Sequence, residues 1–170
     1  MMNSMSFLLL VGLLVTNMGA NMNGTNGDEL KWTNFSDGVK QAAAANKKVL
    51  IDVYTDWCGW CKRMDSDTYS DRNIKNYLSE KYILVKLNAE SSAKEMLERG
   101  EFTDAQIASA FHVNGYPTTI FLDSNGQLIT AAPGYMKPDE FIQVLKYIGE
   151  DYYKKMEFQD YLKTLSVPVK

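Results

Sequence analysis

Two cysteines occur in the 170-residue chain, three positions apart, as Cys58-Gly-Trp-Cys61. At the start of a helix this spacing separates the two thiols by one turn, close enough for one to attack a mixed disulfide held on the other. The unpaired N–H groups and partial positive charge of a first helical turn stabilise a thiolate and lower its pKa. Cys58 is therefore the expected nucleophile and Cys61 the resolving thiol. Two other readings use the same residues, an inert buried pair and half of a zinc site completed by a second chain. Two cysteines supply neither a multi-disulfide scaffold nor a four-thiolate zinc site within one chain. The spacing thus favours redox chemistry, with no metal and no cofactor beyond the Cys58-Cys61 disulfide itself.

The elements that position such a pair are legible on either side of it. The run Val49-Leu-Ile-Asp-Val-Tyr54 is β-branched and almost wholly apolar, the pattern of a central strand buried on both faces, with Asp52 the exception. Lys62-Arg63-Met64 carries no breaker and continues the helix that the cysteines open. Ahead of the strand, Ser36 and Asp37 are expected to cap a helix running through Val39 and Ala42 to Ala45, ended by Asn46-Lys47-Lys48. Behind it, Ile74, Tyr77 and Leu78 recur at helical spacing, and Tyr82-Ile-Leu-Val-Lys-Leu87 reads as a second core strand. The polar stretch 88–101 is long for a connection and is expected to hold a short helix through Met96 and Leu97. Thr103-Asp-Ala-Gln106 has the form of a capping box for a helix whose apolar face is Ile107, Ala110 and Phe111. Segments 118–122 and 128–130 flank Ser124-Asn125-Gly126, a hairpin signal. Pro138, Asp139 and Glu140 open a last long helix with Phe141, Val144, Leu145 and Ile148 on one stripe. Residues 152–162 extend it or add another helix, and 166–170 read as a frayed tail. The order predicts an α/β fold, a central mixed β-sheet with helices on both faces.

Charge and composition narrow the classes further. Lys and Arg number 18 against 21 Asp and Glu, a formal charge of -3, so no cationic field draws the chain to nucleic acid. No charged side chain precedes Asp28, and within that stretch Phe7-Leu-Leu-Leu-Val-Gly-Leu-Leu-Val15 is too short to span a bilayer but suits the apolar segment of a secretory signal. Small residues around Ala20 offer a cleavage point. The expected organisation is a signal peptide over 1–20, with an uncleaved anchor as the other possibility, an Asn- and Gly-rich linker over 21–28, and one folded domain over 29–165.

The segment from Val49 to Lys62, Val-Leu-Ile-Asp-Val-Tyr-Thr-Asp-Trp-Cys-Gly-Trp-Cys-Lys, resembles the active-site segment of the thioredoxin superfamily. The likeness joins Trp57 before the first cysteine, Gly59 after it, Lys62 after the second, and Asp52 six positions upstream of Cys58. It continues in Val85-Lys-Leu-Asn88, in Gly115-Tyr-Pro-Thr118 and in the hairpin and final helix, over about residues 32 to 150. Within the superfamily the chain is most similar to exported thiol-disulfide oxidoreductases. The resemblance implies a thioredoxin-like fold and a monomer acting on protein or peptide thiols and disulfides, fed by a membrane-bound thiol-disulfide relay protein. The compartment it implies is the bacterial periplasm, with membrane-anchored or extracellular placement as alternatives. It assigns Asp52 to the buried carboxylate that exchanges a proton with the resolving thiol, and burial raises a carboxyl pKa toward the range where that works. It assigns Lys86 to that acid's partner, an alternative being a purely neutralising ion pair. Pro117 matches a cis-proline whose preceding backbone binds an extended substrate. Trp60 stands where proline or histidine is usual, and Tyr116 where a small or β-branched residue is common. With Trp57 and Gly59 these form the expected substrate-binding set, Trp57, Trp60 and Tyr116 as an aromatic rim.

A second functional class fits the same residues, a non-catalytic module that holds peptides in the Pro117 groove over a structural disulfide. Other features point to structure alone. His112 is expected as a helix-end or surface residue, and Asp65, Asp67 and Asp71 as a solvated face lacking the glycine and spaced glutamate of a calcium loop.

Overall fold

The computed structural model describes residues 29–166. The expected signal peptide and linker, and the last four residues of the tail, lie outside the described residues. A five-stranded sheet in the order β1-β3-β2-β6-β7 forms the centre. Its strands are β1 (Trp32–Thr33), β2 (Lys48–Tyr54), β3 (Tyr82–Asn88), β6 (Thr118–Leu122) and β7 (Leu128–Pro133). β1, β3 and β2 run parallel, and β6 and β7 are antiparallel to their neighbours. The mixed sheet and its flanking helices agree with the sequence reading, apart from β1, whose two residues are too few to show a period.

Alternation along β2 divides its apolar side chains between two cores. Val49, Ile51 and Val53 join Phe35 and Ala42 of α1 (Phe35–Ala45) and Ile107 and Ala108 of α4 (Asp104–Ala110). Leu50 points to the other face, with Ile74 and Leu78 of α3 (Arg72–Lys81) and Phe141, Leu145 and Ile148 of α5 (Pro138–Gly149). Asp52 shares the Leu50 face, because successive strand side chains point to opposite sides. Gly38 lets α1 lie close to the sheet, since a Cβ there would collide with Val85 Cγ2. After Gly149 the chain turns through Asp151 in the left-handed region, so the last helix is separate, α6 (Phe158–Leu165), stacked on α5 through Tyr147, Phe158 and Tyr161.

Three local expectations change. The cap of α1 is Asn34 rather than Ser36 or Asp37, its Oδ1 accepting the Asp37 N–H at 2.8 Å. The helix opened by the cysteines, α2 (Gly59–Arg63), passes into a π-helical turn, Met64–Thr68. No helix forms at Met96 and Leu97. That stretch is a hairpin of β4 (Lys94–Leu97) and β5 (Gly100–Thr103), Leu97 paired with Gly100 at φ 126°. Tertiary contact decides this hairpin, because only the alternation of a strand buries Glu95 between exposed Lys94 and Met96. The Glu95 carboxylate accepts the free N–H groups of Phe35 and Ser36 at 3.3 and 3.0 Å, across nearly 60 residues of chain. Glu95→Ala is expected to destabilise the protein by about 2 kcal/mol, since two charge-assisted bonds at a helix start are lost. Urea unfolding measures it, and a loss under about 0.5 kcal/mol would mean that solvent replaces the carboxylate.

Candidate redox site

β2 delivers the chain to the site at its C-terminal end. There the Cys58 N–H donates to the Thr55 carbonyl at 3.1 Å, closing a tight loop. Cys58 has extended backbone and is the N-cap of α2, and its Sγ accepts the Cys61 N–H at 3.0 Å. The sulfur thus occupies the place that a capping oxygen takes at other helix starts, where an anion is favoured. Cys58 and Cys61 are joined by a disulfide with Cα atoms 5.3 Å apart. Both cysteines are buried, 4% and 3% exposed, while Trp57 and Trp60 beside them are 67% and 59% exposed. Gly59 is also exposed, and a Cβ on it would meet nothing within 4 Å. The surface next to Cys58 is consequently open.

The Tyr116-Pro117 bond is cis. Thr118 pairs with Val53 and Thr119 with Asp52, so Pro117 enters β6 at the sheet end where β2 leaves for Cys58. The rings of Trp57 and Tyr116 meet edge to face at 6.0 Å, tying the two loops together. The Trp57 indole N–H donates to the Glu90 carboxylate at 3.0 Å. The expected rim is thus divided. Trp60 leaves the Trp57–Tyr116 pair and packs against Tyr135, a residue the sequence reading did not single out, with ring centres 5.5 Å apart and planes tilted by 38°. Tyr135 is held there by its hydroxyl donating to Asp67 at 3.3 Å, and the next residue's carbonyl accepts from Thr68 at 2.6 Å.

Beneath this surface lies the acid. Asp52 is 1% exposed, and Lys86 Nζ donates to its Oδ2 at 2.6 Å and to Asp65 Oδ1 at 2.6 Å. Asp52 and Lys86 are direct partners in the β2–β3 register. The ammonium also sits 5.0, 5.2 and 5.5 Å from the ring centres of Trp32, Tyr54 and Tyr69, an aromatic setting that favours a cation. Burial pushes the Asp52 carboxyl above its ordinary value despite the Lys86 charge. Burial works to lower Lys86, yet Asp52 and Asp65 hold it above its usual value. The structure therefore brings together the sequence-assigned pair Asp52 and Lys86.

Asp65, Asp67 and Asp71 are more than a solvated face. Asp65 bridges to Lys86, Asp67 pairs with Arg63 at 2.9 Å, and Asp71 Oδ1 caps α3 through the N–H groups of Asn73 and Ile74. Their spacing on the turn after Cys61, with Lys86 on a neighbouring strand, was the available signal. His112 follows α4 in the left-handed region and is exposed, as expected. Among the described residues no group of three or more His, Cys, Asp or Glu is arranged to hold a metal ion, and no helix is long and apolar enough to cross a membrane.

Comparison with known proteins gives consistent neighbours. The thiol:disulfide interchange protein DsbD of Yersinia pestis is 34% identical over 107 residues, covering 62% of this chain and 16% of that protein. DsbD of Colwellia psychrerythraea is 30% identical over 116 residues, covering 67% of this chain and 18% of its own. The chain thus spans less than a fifth of the length of these relatives. Among solved structures, a thioredoxin-fold protein from Helicobacter pylori superposes with a TM-score of 0.61 at 24% identity, over 71% of this chain and 81% of that one. A thioredoxin from Thermus thermophilus gives 0.58 at 18% identity, over 70% and 86%. Both share the fold. A thioredoxin-like domain model matches residues 35–149. Since that match runs from the first residue of α1 to the last of α5, the chain belongs to the thioredoxin-like domain family.

Proposed function

We propose that this protein is a thiol-disulfide oxidoreductase that exchanges protein or peptide disulfides through a mixed disulfide on Cys58. The observation that carries the reading is the Cys58 sulfur at the helix N-cap, accepting the Cys61 N–H at 3.0 Å, where a thiolate gains both a donor and the helix dipole. In the reducing direction the Cys58 thiolate attacks one sulfur of a substrate disulfide. The substrate S–S bond breaks and its electron pair leaves on the other substrate sulfur. Cys61 then gives its proton to Asp52 and attacks Cys58 Sγ, the mixed disulfide breaks, and the second substrate thiolate departs and is protonated. Two protein thiols have become the Cys58-Cys61 disulfide, and one substrate disulfide has become two thiols. Oxidation is the same sequence reversed.

Lys86 holds Asp52 in place and keeps its ionised form accessible. Trp57, Gly59, Trp60, Tyr116 and Pro117 form the substrate-binding surface, open at Gly59 and walled by the two aromatic pairs. The likeness to thiol:disulfide interchange proteins supports electron exchange with a thiol-disulfide relay partner, and a membrane-bound one is part of the proposal. The chain reduced with dithiothreitol is expected to accelerate insulin precipitation well beyond dithiothreitol alone, and equal rates would leave the groove as a peptide-binding module over a structural disulfide. Action outside the cytoplasm, in the periplasm, is supported by the uncharged apolar run 7–15 and by a single redox pair without other cysteines to mispair. Mass spectrometry of the native protein is expected to find an N-terminus near Asn21 in a periplasmic fraction, and an intact Met1 in the cytosol would remove the export claim.

A further inference from the structure

Three side-chain oxygens lie buried together under the site and belong to no hydrogen bond of good geometry. They are Asp52 Oδ1, the Tyr69 hydroxyl and Thr119 Oγ1. Asp52 and Thr119 are directly opposite in the β2–β6 register, so their side chains share one face of the sheet. Tyr69 closes the π-helical turn after α2 and is 4% exposed. Its ring is fixed edge to face by Trp32 at 5.1 Å and by Phe141 at 5.7 Å, and it also borders Lys86. The buried phenol has no route to solvent, and its hydroxyl lies beside the Asp52 carboxylate and the Thr119 hydroxyl. Burial, and then the Asp52 charge, push the phenol well above its ordinary pKa, so it stays a donor throughout the working range.

The inventory of donors is decisive. An ionised carboxylate only accepts, and Lys86 already serves Oδ2. The inner oxygen, Oδ1, needs a donor when the charge is present, and the two hydroxyls beside it are the groups that can supply one. A buried carboxylate oxygen left without a donor costs free energy that solvent cannot return. A hydroxyl can also reverse its role, donating to the anion and accepting from the protonated acid. No lysine or arginine takes this inner position. The charged and titratable groups acting on Asp52 are Lys86 from β3 and Asp65 and Tyr69 from the turn after α2, while β6 offers the uncharged Thr119 and α5 sets the apolar Phe141 against the Tyr69 ring.

Building on the role of Asp52 in the proposed exchange reaction, we propose that Tyr69 is a positioning residue for that acid. Its hydroxyl donates to Asp52 Oδ1 while the carboxylate is ionised, and accepts the bond of the Asp52 proton once Cys61 has delivered it. No bond is made or broken at Tyr69. It sets the ease with which Asp52 takes and releases the proton that Cys61 gives up.

The experiment is the pH profile of insulin reduction by Tyr69→Phe, with the Asp52 carboxyl titration followed by carbon-13 NMR. Loss of a donor to the anion is expected to move the Asp52 midpoint and the acid limb of the rate to higher pH by about one unit. In an Asp52→Asn background the same Tyr69→Phe change is expected to leave the profile where it is. A second reading uses the native side chain, whose ring Cζ resonance is expected to move with the Asp52 midpoint, so the test stands even where Tyr69→Phe does not fold. An unmoved profile in Tyr69→Phe, or a Cζ resonance blind to the Asp52 titration, overturns the proposal. Failure of the underlying reading looks different, since Asp52→Asn alone would then leave the native profile unchanged.

Discussion

Cys58→Ser is expected to lower disulfide reduction by at least about a thousandfold, to the level of uncatalysed exchange. The size follows from the chemistry at the N-cap. A serine hydroxyl can accept the Cys61 N–H as Sγ does, so the fold and the helix start survive. What vanishes is a sulfur able to exist as an anion near neutral pH and to form a covalent bond to substrate sulfur. Stability measured by urea unfolding of the reduced forms is expected to stay within about 1 kcal/mol of the parent. A variant that keeps even a tenth of the parent rate while folded would move the nucleophile to Cys61. Loss of activity with loss of the fold would instead make Cys58 a structural residue.

The second large effect belongs to Asp52, and it has opposite signs for stability and turnover. Asp52→Asn removes the group that the proposed reaction uses as proton acceptor for Cys61, and a slowing of about a hundredfold near neutral pH is expected, the usual worth of a positioned general base. The same change is expected to stabilise the fold by about 1–3 kcal/mol at pH 7, because a nearly inaccessible charge, whose burial outweighs the groups that hold it, is lost. Lys86 is not stranded by the change, since Asp65 and three ring faces still hold its ammonium. The pH dependence follows from the direction of the shift. The folded-state pKa lies above the ordinary value of 3.8, so below 3.8 the acid is neutral in both folded and unfolded chains and costs little. As the pH rises through the folded value the unfolded chain sheds its proton first, and the parent loses stability relative to the variant. The gain of Asp52→Asn is therefore expected to be full at neutral pH and to fade on acidification toward 3.8. Thermal melts across that range read it directly. A variant less stable than the parent at pH 7 would mean that the Lys86 bond outweighs burial.

Much of this arrangement was legible in the residues. The two-sided apolar run of β2, interrupted only by Asp52, placed an acid inside the sheet, and the four residues from Cys58 to Cys61 fixed the helix start beside it. The resemblance supplied Lys86 and Pro117, and the register of β2 with β3 and β6 sets Lys86 opposite Asp52 and Pro117 next to Thr118, the partner of Val53. What stayed hidden depends on contacts between distant segments. Glu95 belongs to a segment whose polar composition favours no single element, and the α1 N-terminus decides its strand by taking the carboxylate. Asp65 reads as an ordinary surface acid until the π-helical turn aims it at Lys86. Tyr135 and Tyr69 look like common packing residues, and only tertiary placement brings one against Trp60 and the other against Asp52. Local pattern carries the elements, and long-range pairing carries the partners.

The central claim is that substrate is held as a mixed disulfide on Cys58, and trapping that species tests it most directly. In reduced Cys61→Ser protein the resolving thiol is gone, so a peptide disulfide offered at neutral pH has no route to release once captured. Mass spectrometry without reductant is expected to show one half of the peptide joined to Cys58, released by dithiothreitol, while the Cys58→Ser variant treated alike forms little adduct. Capture at Cys61 in Cys58→Ser as fast as at Cys58 in Cys61→Ser, or no adduct in either, would contradict the account.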